Sequence, residues 1–284
     1  MKIKLLFALI LLSFYSCKER CDPNQPDTSE DKITLGCLPG KFSVSATQQV
    51  QFSQGNLQYR ASTGTWRFAE NQYDIIGNAN SNISASYSGW IDLFGWGTGD
   101  NPTKTSTDYN DYKIFVDWGI HVGSNDGYET DSWRTLTKDE WAYLLTIRAN
   151  ADSLFGMGFV NGINGAILLP DDWVRPDNII FTASILSGMT DMGGFYQDDS
   201  LINHYFDNIY DADKWKLMEK NGAVFLPAAG YRLDTDVICV GTNGFYWLAN
   251  SYDARYAYYL YFLSYDIAIL SYFRDCGHSV RLVR

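Results

Sequence analysis

The chain has 284 residues, a formal net charge of −11 and a pI near 4.6. Such an acidic protein repels phosphate backbones, which argues against nucleic-acid binding. Its 46% apolar residues suffice for one large domain or two small ones. Three scattered histidines and five cysteines without a C-x-x-C pair predict no zinc site.

The first 37 residues have the composition of a leader followed by a tether. Two lysines precede an apolar run at 5–12, which ends shortly before Cys17. A charged start and an apolar run too short to span a bilayer are typical of a signal peptide. We therefore predict a signal peptide over 1–16 and a flexible, polar tether over 17–37.

The junction at Cys17 resembles a bacterial lipobox, which implies cleavage before this cysteine and a lipid on its sulfur. Lys18 and Glu19 resemble the signal that sends lipoproteins of some gut bacteria to the outer face of the outer membrane. The expected location is thus the cell surface, with membrane contact through the lipid alone. An ordinary secreted protein, cut elsewhere, is the alternative. The other cysteines can pair in three ways in an oxidising compartment, namely Cys21, Cys37, Cys239 and Cys276.

The folded part is predicted to begin with β-strands. Apolar and polar residues alternate over 42–52, and again over 57–60 and 65–68 on either side of a glycine-containing turn. Residues 78–88 and 97–111 are rich in Asn, Gly, Ser and Thr and are predicted to be long loops.

Two helices carry clear signals. Thr137 and Glu140 form the two ends of a capping box, in which each side chain satisfies a free backbone N–H. A second helix is predicted over 212–220, because apolar residues lie three apart and Gly222 follows its end. The predicted buried side chains are Trp141, Leu144, Leu145, Trp215 and Met218.

Strands are predicted again over 223–227 and from Phe245 to the end, which makes the fold class α+β. In the run at 258–265 successive side chains point to opposite faces. Leu260 and Phe262 are assigned to the core. The other face carries Tyr259, Tyr261, Leu263 and Tyr265 and is predicted to point outward as a recognition surface, for which tyrosine is well suited.

Residues 134–143 read Arg-Thr-Leu-Thr-Lys-Asp-Glu-Trp-Ala-Tyr, and residues 277–283 read Gly-His-Ser-Val-Arg-Leu-Val. They resemble a helix start and the closing strand of the formylglycine-generating-enzyme branch of the C-type-lectin fold. Residues 225–232 and 244–247 resemble gut-bacterial lipoproteins on that fold. The resemblance implies one C-type-lectin-like domain over 38–284, with long ordered loops and a β-rich variable segment at its end.

Twelve positions that are fixed in those lipoproteins are present here, although Leu248 and Ala249 replace usual serines. We call them the fixed positions: Ala257, Tyr258, Leu260, Phe262, Ser264, Arg274, Gly277, Ser279, Val280, Arg281, Leu282 and Val283.

Some of those lipoproteins are variable proteins of diversity-generating retroelements, which replace adenines in a terminal coding repeat. Their altered codons end in a pyrimidine and cannot encode Lys, Glu, Gln, Met or Trp. Residues 248–284, here called the C-terminal segment, contain none of these five. A strand-rich segment is also depleted in Lys and Glu for structural reasons.

The resemblance implies that the residues between the fixed positions bind a protein or glycan of another cell or phage. Cys276 also lies between the fixed positions but is not counted as a binding residue. The candidate positions are Asn250, Tyr252, Asp253, Arg255, Tyr256, Tyr259, Tyr261, Leu263, Tyr265, Asp266, Leu270, Tyr272, Phe273, Asp275 and His278.

Two alternatives borrow other functions from the fold. The formylglycine-generating relatives bind copper through a closely spaced cysteine pair, whereas Cys239 and Cys276 stand 37 positions apart. Calcium-dependent lectins use a Gln-Pro-Asp triplet, which occurs here only in the tether, at 25–27. We therefore expect no enzyme activity, no metal and no cofactor, while calcium-free stacking of sugars on tyrosine stays open. Arg274 and Arg281 are expected to pair with buried oxygens, with Glu140 as a candidate partner of Arg281.

Overall fold

The computed structural model describes residues 36–122, 133–184 and 202–284, and the backbone of strands at 187–189 and 194–196. The predicted signal peptide, Cys17 and Cys21 lie outside the described residues. Residues Ile33–Arg284 form one compact unit. Within the described part, no helix combines the length and apolar character needed to cross a membrane.

The unit is a mixture of small sheets with few helices. Its first strands are β1 (Phe42–Ser43), β2 (Gln49–Val50), β3 (Leu57–Arg60), β4 (Thr65–Phe68), β5 (Arg134–Thr135), β6 (Phe155–Val160), β7 (Ile163–Leu168), β8 (Ser187–Met189) and β9 (Gly194–Tyr196). The later strands are β10 (Ile209–Tyr210), β11 (Val224–Pro227), β12 (Tyr231–Leu233), β13 (Asp236–Ile238), β14 (Gly244–Ser251), β15 (Tyr256–Leu263), β16 (Asp266–Phe273) and β17 (Leu282–Val283).

Helices are short. They are α1 (Lys138–Ala142), which continues as a π-helix over Tyr143–Ile147, and α2 (Ala212–Lys220). Short 3₁₀ helices lie at Ala61–Thr63, Gly77–Asn82, Tyr109–Tyr112, Trp118–His121, Ala151–Ser153 and His204–Phe206.

Two larger sheets organise the unit. The first has five strands in the order β14-β15-β16-β9-β8, all antiparallel. The second has four strands in the order β10-β6-β7-β11, of which only β10 and β6 run parallel. Pairs β1-β2, β3-β4, β12-β13 and β5-β17 complete the fold.

The predicted hairpin at 57–68 is confirmed, with Tyr59 opposite Trp66. The alternating stretch at 42–52 is not one strand. It folds back on itself, so that Phe42 pairs with Val50. The Ser45 hydroxyl accepts from the backbone N–H of Gln48 at 3.0 Å. A serine that satisfies the backbone locally favours a turn over an extended strand.

Both predicted helix starts and their buried faces are confirmed. The Thr137 hydroxyl accepts from the Glu140 N–H at 3.3 Å, and the Glu140 carboxylate accepts from the Thr137 N–H at 2.8 Å. The same carboxylate forms an ion pair with Arg134 at 2.6 Å. Arg281 instead donates to the amide oxygen of Gln72 at 2.7 Å, so Glu140 is not its partner. Arg134, six residues before Glu140, occupies the Glu140 carboxylate instead.

The five-stranded sheet is covered on both faces. One face packs Leu260 and Phe262 against Trp141 and other side chains of the first half of the unit. The opposite face packs Trp247 and Tyr259 in a second, strongly aromatic cluster. That cluster also contains Trp66, Phe94, Trp96, Trp118 and Trp133. The central strands of this sheet are therefore part of the core.

The two ends of the unit meet. The backbone of Gln51 donates to Arg284 at 2.9 Å and accepts from it at 3.0 Å. Phe52 bridges to Val283, and β17 pairs with β5. The last strand therefore closes the fold against residues near its beginning.

Candidate ligand-binding face

Exposure separates the candidate positions from the fixed positions. Thirteen of the fifteen candidate side chains are exposed or half-buried, the exceptions being Tyr259 and His278. Ten of the twelve fixed positions are buried, the exceptions being Tyr258 and Ser264. We call the thirteen partly exposed candidates the candidate face. The sequence pattern therefore coincides with a division between surface and core.

Strand register produces this division. Leu260 lies opposite Ile269 and Phe262 opposite Ile267, and all four side chains are buried. The prediction that Leu260 and Phe262 belong to the core is confirmed. The Phe262 ring also stacks on Tyr246, at 6.0 Å between ring centres.

The prediction that Tyr259 points outward is wrong, because its side chain is only 5% exposed. Its ring stacks on Phe245 at 5.8 Å and meets Trp247 edge-on at 6.3 Å. The second aromatic cluster supplies the packing layer on this side of the sheet. His278 and Cys276 are fully buried as well, so neither presents a side chain to solvent.

One end of the candidate face surrounds the turn between β14 and β15. Tyr252 is 58% exposed and packs edge-on against Tyr258 at 5.4 Å. Tyr256 packs against Phe273 on the neighbouring strand at 4.7 Å. The guanidinium of Arg255 lies 4.9 Å from the centre of the Tyr109 ring. These contacts form an aromatic surface with a positive charge at its edge.

Two side chains hold that turn in place. The Asp253 carboxylate accepts from the backbone N–H groups of Arg255 and Tyr256, each at 2.8 Å. Arg274 donates to the backbone oxygens of Tyr112 at 2.9 Å, Tyr256 at 3.4 Å, and Asp253. The expected pairing of Arg274 with carbonyl oxygens is confirmed. The turn is therefore fixed from beneath while its aromatic rings stay accessible.

The other end is the two-residue turn between β15 and β16, where Leu263 pairs with Asp266. Tyr265 lies in this turn and is half-buried. Burial raises the pKa of the Asp266 carboxyl. The shift shows that this acid is partly removed from water.

Between the two ends lies a half-buried aromatic area. The Tyr261 hydroxyl accepts from the Asn243 side chain at 2.7 Å. Tyr231 on β12 packs edge-on against Tyr272 at 6.1 Å. Tyr231 and Asn243 were not predicted as site residues, since both precede the C-terminal segment. The hairpin of β12 and β13 brings Tyr231 to the face, a placement that no local pattern signals.

His278 and Arg232 are buried polar residues beneath this area. Neither ring nitrogen of His278 has a hydrogen-bond partner among the described residues, nor do Nε and Nη2 of Arg232. Nη1 of Arg232 donates to the backbone oxygen of Asp234 at 2.6 Å. Burial, followed by the nearby Arg232 charge, holds the pKa of His278 well below its usual range.

This histidine should make the fold acid-sensitive. The unfolded chain takes up a proton below about pH 6.5, whereas the native protein does not until its lower pKa is reached. Stability should fall below pH 6.5 by up to about 1.4 kcal/mol per pH unit from this residue. His278→Phe should remove that contribution. Urea unfolding of both proteins between pH 7 and 5 measures it, and parallel curves would contradict the assignment.

The three described cysteines, Cys37, Cys239 and Cys276, are unpaired. Burial and the neighbouring Asp275 raise the pKa of the Cys276 thiol to about 12, which keeps it protonated at neutral pH. Among the described residues, no three His, Cys, Asp or Glu side chains converge as a metal ion would require.

Comparisons with protein families, curated proteins and solved structures found no match to this chain.

Proposed function

We propose that this chain is a ligand-binding lipoprotein of the cell surface, built on a C-type-lectin-like scaffold. Its candidate face would bind proteins or glycans of other cells or phage. The observation that carries the proposal is the division of the C-terminal segment: thirteen of fifteen candidate positions lie at the surface and ten of twelve fixed positions in the core. A scaffold that must tolerate changing contact residues needs this separation.

The chemistry of the candidate face also favours recognition. Six of its thirteen side chains are tyrosine or phenylalanine, and its charged members are Asp253, Arg255, Asp266 and Asp275. Large, stiff rings with polar tips supply contact area at low entropic cost. They stand on two adjacent antiparallel strands, β15 and β16, and on the turns at the two ends of β15, which limits the ordering cost of binding.

The proposed attachment to the membrane is through a lipid on Cys17, followed by the polar tether at 17–37. Such an anchor would leave the domain free in the extracellular space, on the outer face of the outer membrane. The composition of the C-terminal segment further supports diversification by a retroelement. A neighbouring reverse-transcriptase gene and an imperfect template repeat differing at adenines are the expected genomic companions.

Replacing two exposed rings and one half-buried ring together should abolish binding without unfolding the domain. Tyr252→Ser, Tyr265→Ser and Phe273→Ser remove contact area at both ends of the face. Tyr259 is left intact because it is buried. The free energy of unfolding should change by about 1 kcal/mol or less, the usual scale for surface substitutions. Chemical denaturation and binding to arrays of glycans and bacterial surface proteins measure the two effects.

The matched control replaces three exposed apolar residues outside the C-terminal segment, Val174, Ile180 and Leu217, with serine. It should retain every array signal of the native protein. If array ligands bind the triple ring variant and the native chain with equal affinity, the proposed face is refuted.

A further inference from the structure

Five aromatic rings surround the imidazole of His278. The Trp247 ring is stacked on it at 3.9 Å between centres, nearly parallel at 21°. The rings of Tyr259 and Phe245 lie at 4.9 and 5.4 Å. Those of Tyr231 and Tyr272 complete the set, each at 6.2 Å. We call these five rings the cage.

The cage holds its occupant by shape. Neither imidazole nitrogen has a hydrogen-bond partner among the described residues, and the side chain is fully buried. A buried polar ring normally finds a partner, and its absence costs free energy. Any planar group of similar size would therefore fill this space at least as well as histidine does.

The backbone at this position is fixed independently of the side chain. The N–H of His278 donates to the oxygen of Phe94 at 3.0 Å, and its own oxygen accepts from the Phe94 N–H at 2.9 Å. Arg232 and Gly277 form the same kind of reciprocal pair one residue earlier, at 2.8 Å in both directions. The walls of the cage should consequently keep their places when the side chain at 278 is shortened.

The cage also reaches the surface. Tyr231 and Tyr272 are half-buried, and Tyr272 belongs to the candidate face. Tyr259 lies next to the half-buried Tyr261, at 6.4 Å between ring centres. Removing the imidazole would therefore open a ring-sized hollow beside the candidate face.

We propose that residue 278 determines the shape of the candidate face, by acting as a removable plug in an aromatic pocket. With histidine, the pocket is filled from within and the face offers its ligand a closed, tyrosine-lined surface. With a small residue, the pocket accepts a planar ring supplied from outside, such as an aromatic or imidazole side chain of a partner. The pocket follows from the cage alone, and its use in recognition rests on the proposed binding function.

The test is chemical rescue of His278→Ala by free imidazole, which together with alanine reproduces the missing side chain. Apolar cavities left by truncation bind small ring compounds. When the imidazole concentration is ten times its dissociation constant, the thermal midpoint of unfolding of the variant should rise by about 3 °C. The native protein serves as the control for a filled cage. Phe262→Ala, with a cavity on the opposite face of the sheet, is the control for cavity binding in general.

A stabilisation by imidazole that is confined to His278→Ala supports the proposal that residue 278 fills an aromatic pocket. No rescue, or an equal shift in Phe262→Ala, overturns it. If His278→Ala does not fold alone, recovery of folded protein on refolding with imidazole is the supporting result, and failure with and without imidazole is the refuting one. His278→Phe should have the thermal midpoint of the native protein, and imidazole should not change it. Full retention of array binding by the triple ring variant, with rescue of His278→Ala intact, would count against the proposed function and leave the pocket standing.

Discussion

Phe262→Ala should lower the free energy of unfolding by roughly 3–5 kcal/mol, the range for truncating a buried phenylalanine. Its side chain has no exposure and packs within the larger core cluster. A Cβ placed on Gly244 of the neighbouring strand would lie 2.0 Å from the Phe262 ring. The ring thus fills the space that this glycine leaves, and its removal creates a cavity.

Urea unfolding at neutral pH measures this loss, and Leu263→Ala is the matched control. Leu263 follows directly on the same strand, but its side chain is half-buried at the edge of the candidate face. Its truncation should cost less than half as much as that of Phe262. Equal losses at the two positions would mean that the division between core and face is misplaced.

Arg274→Met should destabilise the protein by roughly 3 kcal/mol, since hydrogen bonds from a charged donor contribute about 1.5–3 kcal/mol each. Methionine keeps most of the apolar stem, so the loss isolates the guanidinium. Three backbone oxygens, those of Tyr112, Asp253 and Tyr256, would lose their donor. The stacking of the guanidinium over Trp96, at 4.4 Å, would be lost too.

The turn between β14 and β15 should loosen in the same variant, and binding through Tyr252 should weaken with it. Hydrogen exchange of the amides of residues 252–256 reports the loosening, and Arg255→Met provides the control. Arg255 is exposed and stacks on Tyr109 at the surface. That variant should unfold like the native protein. A stable Arg274→Met protein with unchanged amide protection would show that the turn is held by other contacts.

Features with local causes were predictable from the sequence. The capping box at Thr137 and the bounds of α2 need only neighbouring residues, and both were predicted correctly. The alternation at 258–265 likewise separates Leu260 and Phe262 from the opposite side of the strand. It cannot tell whether that opposite side meets solvent or another layer.

Tyr259 shows why. The rings that share its cluster, such as Trp66, Phe94 and Trp133, lie more than a hundred residues earlier in the chain. A period of two along one strand contains no information about such distant partners. The burial of His278 has the same origin, because Tyr231 comes from a separate hairpin. Long-range packing therefore determines which tyrosine side chains are accessible at the surface.

The pairing of β17 with β5, and of Arg284 with Gln51, places the closure of the fold after every candidate position. The ribosome synthesises every candidate position before it reaches β17 and Arg284, whose contacts close the fold. A product cut short anywhere within that stretch lacks its final strand and leaves buried neighbours uncovered. Only chains that include β17 can therefore form the pairing with β5 that closes the fold.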